Sequence, residues 1–583
     1  MLIIAEKPSV ARKISSFLSN NNFKKINYSR YISYYYFKRD NKNIFVVPSI
    51  GHLFTISDLS KKYEYPTFNY KWVPSYIEDG IKIKKLYIDM FSKFRNEEEV
   101  IVATDYDIEG ELIGYNILRF VLNKNNAKRM IFSAITYKDI LRSYNNLGNL
   151  NIGYYLAGET RHIIDWLYGI NLSRALTRAI RHYNKNIILS IGRVQGPTLK
   201  LVYLREREIK EFVPEEYYKI EAVVKKEGKM LKFKYKKEKI KDKEEANRIK
   251  ESINNYLNVI NIESKKINVD PPHPYNLTDI QIDSYRLYKI SPKKTLDILQ
   301  SLYEKGYISY PRTSSQRLPD TINFREIFEN LLSLKNYRYY IEKLLKKGHL
   351  KPNNGKKDDV HPAIHPTGVM PKYLDKKEFL IYDLVVRRFI STFSDPALEI
   401  YYKIDTKEGF YYEYKNIINK GWIEVYWEIM KNNYEEHKFY EGEKLEILKI
   451  NIRKQKTKPP ARYNQASLVK KMEELNLGTK STRAEIVNIL FKRNYVKGKS
   501  IYLTDLGEKI IEILEKYYPE ILDIELTRKL EEKLDKLEKN PKEEIKEEII
   551  EEAKEILKSV LTDFKNKEEV IGEEIYNIVK SYK

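Results

Sequence analysis

Asp105-Tyr106-Asp107-Ile108-Glu109-Gly110-Glu111 places three carboxylates at alternate positions just behind the apolar run Val100–Ala103. If the extended conformation of that run continues, Asp105, Asp107 and Glu109 share one face at its carboxyl end. Like charges so close are unfavourable without a cation. Hard oxygen ligands suit Mg²⁺, which binds one or two carboxylates and keeps waters for a phosphate-bearing substrate. The same residues also read as a solvated acidic turn in which Glu109 and Glu111 merely complement a helix dipole. Glu6, Lys7 and Pro8 leave the apolar run Leu2–Ala5 in the same way, and parallel pairing of the two runs sets them beside the carboxylates. There Glu6 can relay a proton to a departing oxygen and Lys7 can neutralise a phosphate.

Tyr310 is one tyrosine among 49, so only its context can distinguish it. Ser291-Pro292 reads as an N-cap with proline at the first helical position, Leu296, Leu299, Leu302 and Tyr303 form an apolar face, and Gly306 ends the helix. Tyr307-Ile308-Ser309-Tyr310 then reads as a strand stopped by Pro311. A free tyrosine, with a pKa of about 10, is a poor nucleophile at neutral pH and needs a nearby cation or base. Arg312 lies two residues on and can also grip a phosphate with two hydrogen bonds. From these residues alone, an aromatic packing at a strand end remains the competing reading.

His361 and His365 are four apart, but Pro362 and Pro366 argue against the regular helix that would make them a metal pair. His52, in Gly51-His52-Leu53-Phe54, reads equally as a packed histidine and is given no catalytic role.

The elements that must position these groups fall into several units, and 583 residues at about 150 per domain suggest roughly four domains. Two strand-to-helix turns predict an α/β unit over 1–142, and helical periodicity takes over in 143–212. Strand patterns at 213–268 return at 398–449, the second including an extended stretch over 409–430. The mainly helical block 269–397 is therefore expected as an insertion between two β-rich halves, hinged at the crossing strands. Helices at 465–475 and 481–493 followed by a short strand at 500–504 resemble a winged helix. The tail from 526 to 583 is amphipathic, with mixed charges at helical spacing, and reads as a solvated helix pair packed on the body; 450–583 joins 143–212 in one helical base.

Lys plus Arg number 105 against 82 Asp plus Glu, a formal charge of +23, which points to a polyanionic partner. The abundance of Lys, Ile, Asn and Tyr also follows from AT-rich codon usage, so composition carries limited weight. The absence of cysteine excludes disulfides, zinc ribbons, iron–sulfur clusters and cysteine nucleophiles. No signal peptide and no apolar run of about 18 residues is evident, so a soluble, cytoplasmic protein without membrane contact is expected. No G-x-x-x-x-G-K-[ST] loop occurs, so ATP is not expected as a cofactor.

The pairing of strand-Glu-Lys-Pro with strand-Asp-x-Asp-x-Glu resembles the TOPRIM domain of topoisomerases, bacterial primases and some nucleases. Gly306-Tyr307-Ile308-Ser309-Tyr310-Pro311-Arg312-Thr313-Ser314-Ser315 resembles the active-site segment of type IA DNA topoisomerases, particularly the archaeal topoisomerase III-like branch. Pro274-Tyr275-Asn276-Leu277-Thr278, Ile191-Gly192-Arg193-Val194-Gln195-Gly196-Pro197-Thr198, His361-Pro362-Ala363-Ile364-His365-Pro366-Thr367 and Leu477-Gly478-Thr479-Lys480-Ser481-Thr482-Arg483 follow the same branch, in the family's order.

The resemblance implies a multidomain α/β and α+β fold, with a Rossmann-like TOPRIM domain and a toroidal core bearing winged-helix-like domains. It implies ATP-independent cleavage of one DNA strand, in which Tyr310 becomes linked to a 5′ phosphate, another strand passes and the break reseals, relaxing negative supercoils, decatenating, or both. By matched motifs Arg312 stabilises the phosphate, Glu6 and Lys7 assist the 3′ oxygen, and His361 stands near the scissile phosphate. Asp105, Asp107 and Glu109 hold Mg²⁺, and Arg193, Gln195, Thr482 and Arg483 contact DNA; for Arg193 an internal salt bridge is the alternative. Many relatives carry cysteine-rich zinc modules, which this chain lacks, so zinc is not expected. The implied partners are single-stranded DNA and negatively supercoiled or catenated duplex, with a helicase as a further partner and a monomer as the working state. A TOPRIM primase or nuclease explains the acidic residues but not the Tyr310 segment, and a noncatalytic single-strand binder or scaffold with a relict site is weakened because all the candidate chemical residues are present.

Overall fold

The computed structural model describes residues 1–60, 63–183, 188–358, 360–429 and 433–580. Leu2–Ala5 and Val100–Ala103 are fully buried, as two unbroken apolar runs of four residues require, and they pair in parallel with Ala5 opposite Ala103. They lie at the centre of a seven-stranded sheet, flanked by Lys42–Pro48 on one side and Lys128–Arg129 on the other. Because both central strands run the same way, Glu6 and Asp105 emerge together at their carboxyl ends, where parallel sheets commonly bind ligands. Helix Pro8–Leu18 follows the first strand with Pro8 in its first turn, and helix Ile108–Ile117 follows the second.

The alternation expected of Asp105, Asp107 and Glu109 is broken here. The strand ends at Ala103, and Asp107 is the N-cap of the following helix, its carboxylate accepting from Gly110 N at 2.7 Å. Glu109 thus lies on the first helical turn, where alternate residues no longer share a face.

Six strands close a barrel in the order Glu216–Lys226, Lys229–Tyr235, Phe410–Asn419, Ala397–Thr406, Tyr256–Val269 and Lys444–Lys456. Its interior is filled by Ile220, Val224, Phe233, Val259, Ile404 and Phe410. The chain leaves through Tyr256–Val269 and returns through the antiparallel Ala397–Thr406, and the mainly helical block between them carries Tyr310 on a segment that follows helix Pro292–Glu304. The extended stretch read at 409–430 stops at Asn419 and is followed by a helical turn, Ile423–Tyr426; Met430 lies outside the described residues.

Ser291 caps helix Pro292–Glu304 through Lys294 N, and Gly306 turns the chain with φ +77°. The strand read at 307–310 is reduced to one bridge, Ile308 to Pro366, with Tyr310 N donating to the carbonyl of Ser133 at 2.7 Å. A continuous buried cluster joins Val10, Ile14, Phe132 and Ile135 of the first unit to Leu299, Leu302, Tyr303 and Tyr310.

Helices Gln465–Glu474 and Arg483–Lys492 precede a hairpin of two short strands, Val496–Lys497 and Tyr502–Leu503. The C-terminal part forms three helices rather than a pair: Ile524–Lys539, Glu543–Asn566 and Glu568–Lys580. Leu530, Leu534, Ile550, Leu557 and Phe564 join Ile164, Leu167 and Ala175 of the long helix Ile152–Arg181 in one core, so the tail is structural on its inner face. Among the described residues no helix is long and apolar enough to cross a membrane.

Candidate active site

Residues separated by two hundred positions converge at the carboxyl ends of the two central strands. Tyr310, 1% exposed, donates its hydroxyl hydrogen to Asp107 Oδ2. Glu6 Oε2 accepts from Asp105 N at 2.9 Å, and Tyr303 donates to Asp105 Oδ1 at 3.2 Å. Arg312 Nη1 stands 3.4 Å from the Tyr310 hydroxyl and 3.8 Å from Asp107 Oδ2. Lys7, at the N-cap of helix Pro8–Leu18, pairs with Glu304 from the helix that precedes the tyrosine.

The electrostatics follow from crowding three carboxyls and a phenol away from water. Burial, then the charge of Asp107, pushes the Glu6 pKa above the usual carboxylate range. Burial, then Glu6, pushes Asp105 well above it. Burial and the neighbouring Asp107 hold the Tyr310 hydroxyl well above its ordinary value, and the attraction of Arg312 only partly offsets them. A cation fits this arrangement, because Asp105 Oδ2 is buried without a hydrogen-bond partner and the like charges lack sufficient compensation.

His361 lies against the tyrosine, with ring centroids 4.4 Å apart. Its Nε2 donates to the carbonyl of Tyr106 at 2.8 Å and its Nδ1 accepts from the Ser133 hydroxyl at 2.9 Å, which fixes the neutral tautomer. Burial lowers its pKa to about 4. His365 is buried and hydrogen-bonded to the carbonyl of Pro366, away from any metal pair with His361.

Glu109 does not join Asp105 and Asp107. Its Oε2 meets His52 Nε2 at 2.8 Å and His162 Nε2 at 3.0 Å.

A model of the family described as DNA topoisomerase matches residues 149–547, and one described as Toprim domain matches residues 1–135. DNA topoisomerase 1 of Pyrococcus horikoshii is 45% identical, over 99% of this chain and 86% of that protein. The chain belongs to the type IA DNA topoisomerase family. DNA topoisomerase 1 of Methanocaldococcus jannaschii is 42% identical, over 98% of this chain and 75% of that protein. The full-length topoisomerase I structure from Thermotoga maritima superposes with a TM-score of 0.74 at 27% identity, covering 96% of this chain and 90% of that one. This type IA topoisomerase is an isomerase of DNA topology, and its family binds single-stranded DNA.

Four residues read as DNA contacts occupy different settings in this topoisomerase. Arg193, 4% exposed, is an internal ion-pair residue: Nε reaches Asp165 at 2.8 Å and Nη2 reaches Glu531 at 2.7 Å. Gln195 Nε2 donates to the carbonyl of Ser190 at 3.4 Å. Thr482 Oγ1 accepts from Thr479 N, and Arg483 Nε donates to the carbonyl of Leu477. Arg483 and Lys480 line a cavity shared with Asp107, Glu109 and His361, and Lys480 pairs with Asp358 at 2.8 Å.

Sequence reasoning missed the support of the acidic loop. Arg129 is fully buried; it pairs with Glu111 at 2.8 Å and donates to the carbonyls of Val102, Thr104 and Asp105. Gly110 is required beneath that loop, because a Cβ there would stand 2.0 Å from the Asp105 carbonyl oxygen. The available signal was an arginine opening an apolar segment, Arg129-Met130-Ile131-Phe132. Tyr303 was read only as part of an apolar helix face, and its hydroxyl gave no separate signal.

Proposed function

We propose that Tyr310 is the nucleophile of this topoisomerase. Its oxygen gives up its hydroxyl proton to the Asp107 carboxylate it already faces and attacks a backbone phosphorus of single-stranded DNA, forming a 5′-phosphotyrosine ester as the bond to the 3′ oxygen breaks. Arg312 carries the charge that holds the phosphate. Glu6, whose pKa is raised by burial and by the charge of Asp107, is placed to supply a proton to the leaving 3′ oxygen and to take it back on resealing. Lys7 exchanges Glu304 for phosphate, and His361 turns its Nε2–H from the Tyr106 carbonyl to the same phosphate as a neutral donor. Asp105 and Asp107 hold Mg²⁺, which when bound stabilises phosphate charge and relieves the carboxylate repulsion. The ester conserves the bond energy, so resealing needs no ATP.

The observation that best supports this reading is the hydrogen bond from Tyr310 to Asp107, made between an inserted block and the first unit. Units 1–142, 269–397, the β-rich 213–268 with 398–449, and the helical 143–212 with 450–583 then have separate tasks. Parting the first two opens a gate for the second strand, with the barrel strands as hinge. Thr482, Arg483 and Gln195 track the bound strand, and Arg193 positions it through its ion pairs. The motifs favour a topoisomerase III-like branch, for which decatenation would accompany relaxation.

The test is a comparison of wild type and Tyr310→Phe on negatively supercoiled plasmid and on singly nicked catenanes with Mg²⁺. The proposal requires that wild type change the topology of at least one and that the variant change neither. Equal activity of the two proteins would contradict it.

A further inference from the structure

Glu109 was read as a third ligand beside Asp105 and Asp107, yet its carboxylate is turned toward two imidazoles from other parts of the fold. His52 follows Gly51 in the loop before strand Phe54–Asp58, and His162 lies within the long helix Ile152–Arg181. The ligand-capable atoms of His52, Glu109 and His162 all lie within 4.8 Å of one another, the only such group of three among the described residues. We propose that these three residues form a second metal site, selective for a divalent transition ion and distinct from the Mg²⁺ position at Asp105 and Asp107.

The geometry suits an ion. Ligand atoms about 2.0–2.2 Å from a metal, at angles near 90–110°, stand roughly 3.0–3.5 Å from one another. Glu109 Oε2 lies 2.8 Å from His52 Nε2 and 3.0 Å from His162 Nε2, and all three ligand-capable atoms fall within 4.8 Å of one another, so side-chain adjustments without backbone rearrangement bring them round one ion. The three donors come from a loop, a helix start and a helix interior; the first two are anchored by one buried cluster and the third by another. No lysine or arginine occupies the position, since the ion-pair partners of Glu109 among the described residues are the two histidines.

The donor set decides the metal. Two imidazole nitrogens and one carboxylate oxygen suit Zn²⁺, Co²⁺, Mn²⁺ or Fe²⁺, whereas Mg²⁺ takes oxygen ligands and dehydrates reluctantly. The side chains are 27%, 31% and 30% exposed in the order His52, Glu109, His162, which leaves room for water or another oxygen to complete the coordination. Glu109 also lines the cavity that contains Asp107, His361, Lys480 and Arg483. An ion held there adds positive charge to the wall that the strand would follow.

The test uses the full chain stripped of metal, titrated with Co²⁺ in excess Mg²⁺ and followed by visible absorption, with Zn²⁺ as competitor. The proposal predicts one Co²⁺ per chain, displaced by Zn²⁺ and retained against Mg²⁺. His162→Gln keeps a hydrogen-bond donor near Glu109 but removes the imidazole, and it should weaken Co²⁺ by more than about 10-fold, as should His52→Gln. Asp105→Asn should leave Co²⁺ affinity within about 2-fold. Zn²⁺ should raise the thermal midpoint of wild type but not of either histidine variant, which also reports that the variants are folded. Equal Co²⁺ affinity in wild type and both histidine variants, or displacement by Mg²⁺, would overturn the assignment.

Discussion

Tyr310 donates its hydroxyl hydrogen to Asp107, 203 positions earlier in the chain, while Arg312 stands 3.8 Å from the same carboxylate oxygen. The candidate nucleophile and a candidate metal ligand therefore share one proton when the inserted block is docked. In that state burial and the Asp107 charge keep the phenol protonated.

Arg312 directs a guanidinium nitrogen to the phenol oxygen at 3.4 Å. Arg312→Gln should slow formation of the covalent adduct by on the order of 100-fold, the usual cost of removing one preorganised charge-stabilising donor. Arg312→Lys should recover only part of the rate, because it restores the charge without the planar fork. Rapid-quench time courses on a labelled oligonucleotide measure both.

The neutral buried His361 makes stability depend on pH. Its folded pKa, about 4, lies below the ordinary value of 6.5, so between these values the unfolded chain binds one proton more than the folded one. Stability from this group is full above about pH 6.5 and is lost as pH falls toward 4, by at most roughly 3 kcal/mol. Urea denaturation of wild type and His361→Gln at a series of pH values should show the variant with a shallower decline across that window.

Arg193 serves the fold first. Removing it takes from buried Glu531 one of its two arginine partners and leaves Arg161 on the other oxygen, so Arg193→Met should cost about 2 kcal/mol. Chemical denaturation checks this. A variant of unchanged stability with weakened strand binding would instead identify Arg193 as a direct DNA contact.

Gly306 sets the approach of the tyrosine segment to the first unit. With φ +77° and a would-be Cβ 2.6 Å from the carbonyl oxygen of Ile135, Gly306→Ala must strain the turn and push the two units apart. The expected cost is about 1–3 kcal/mol, read as a lowered thermal midpoint. Adduct formation should slow as well, because the same contact presents Tyr310 to Asp107.

The sequence made the central strands legible because Leu2–Ala5 and Val100–Ala103 are short apolar runs, each followed at once by charge and a helix start. The helix before Tyr310 was equally legible from Ser291, Pro292 and Gly306, local signals that need no tertiary partner. Glu109 departs from strand alternation because the strand ends at Ala103 and the Asp107 cap begins a helix, a boundary that the run of alternating acids does not mark. The partners His162, Glu304 and Ser133 were hidden for another reason. Each lies in an ordinary helical or loop context, and only the docking of units distant in sequence gives it a role. Arg193 offers both an ion-pair and a strand-contact reading in the sequence, and the structure supplies its ion-pair partners, Asp165 and Glu531, which no local sequence signal names.

The most direct measurement is covalent trapping. Wild type and Tyr310→Phe are incubated with an end-labelled single-stranded oligonucleotide and Mg²⁺, denatured rapidly, and the adduct is digested and mapped by peptide mass. The account predicts a 5′-phosphate-linked nucleotide on the peptide containing Tyr310 in wild type and no adduct in the variant. Free cleaved ends in equal amounts from both proteins, or an adduct on another residue, would contradict it.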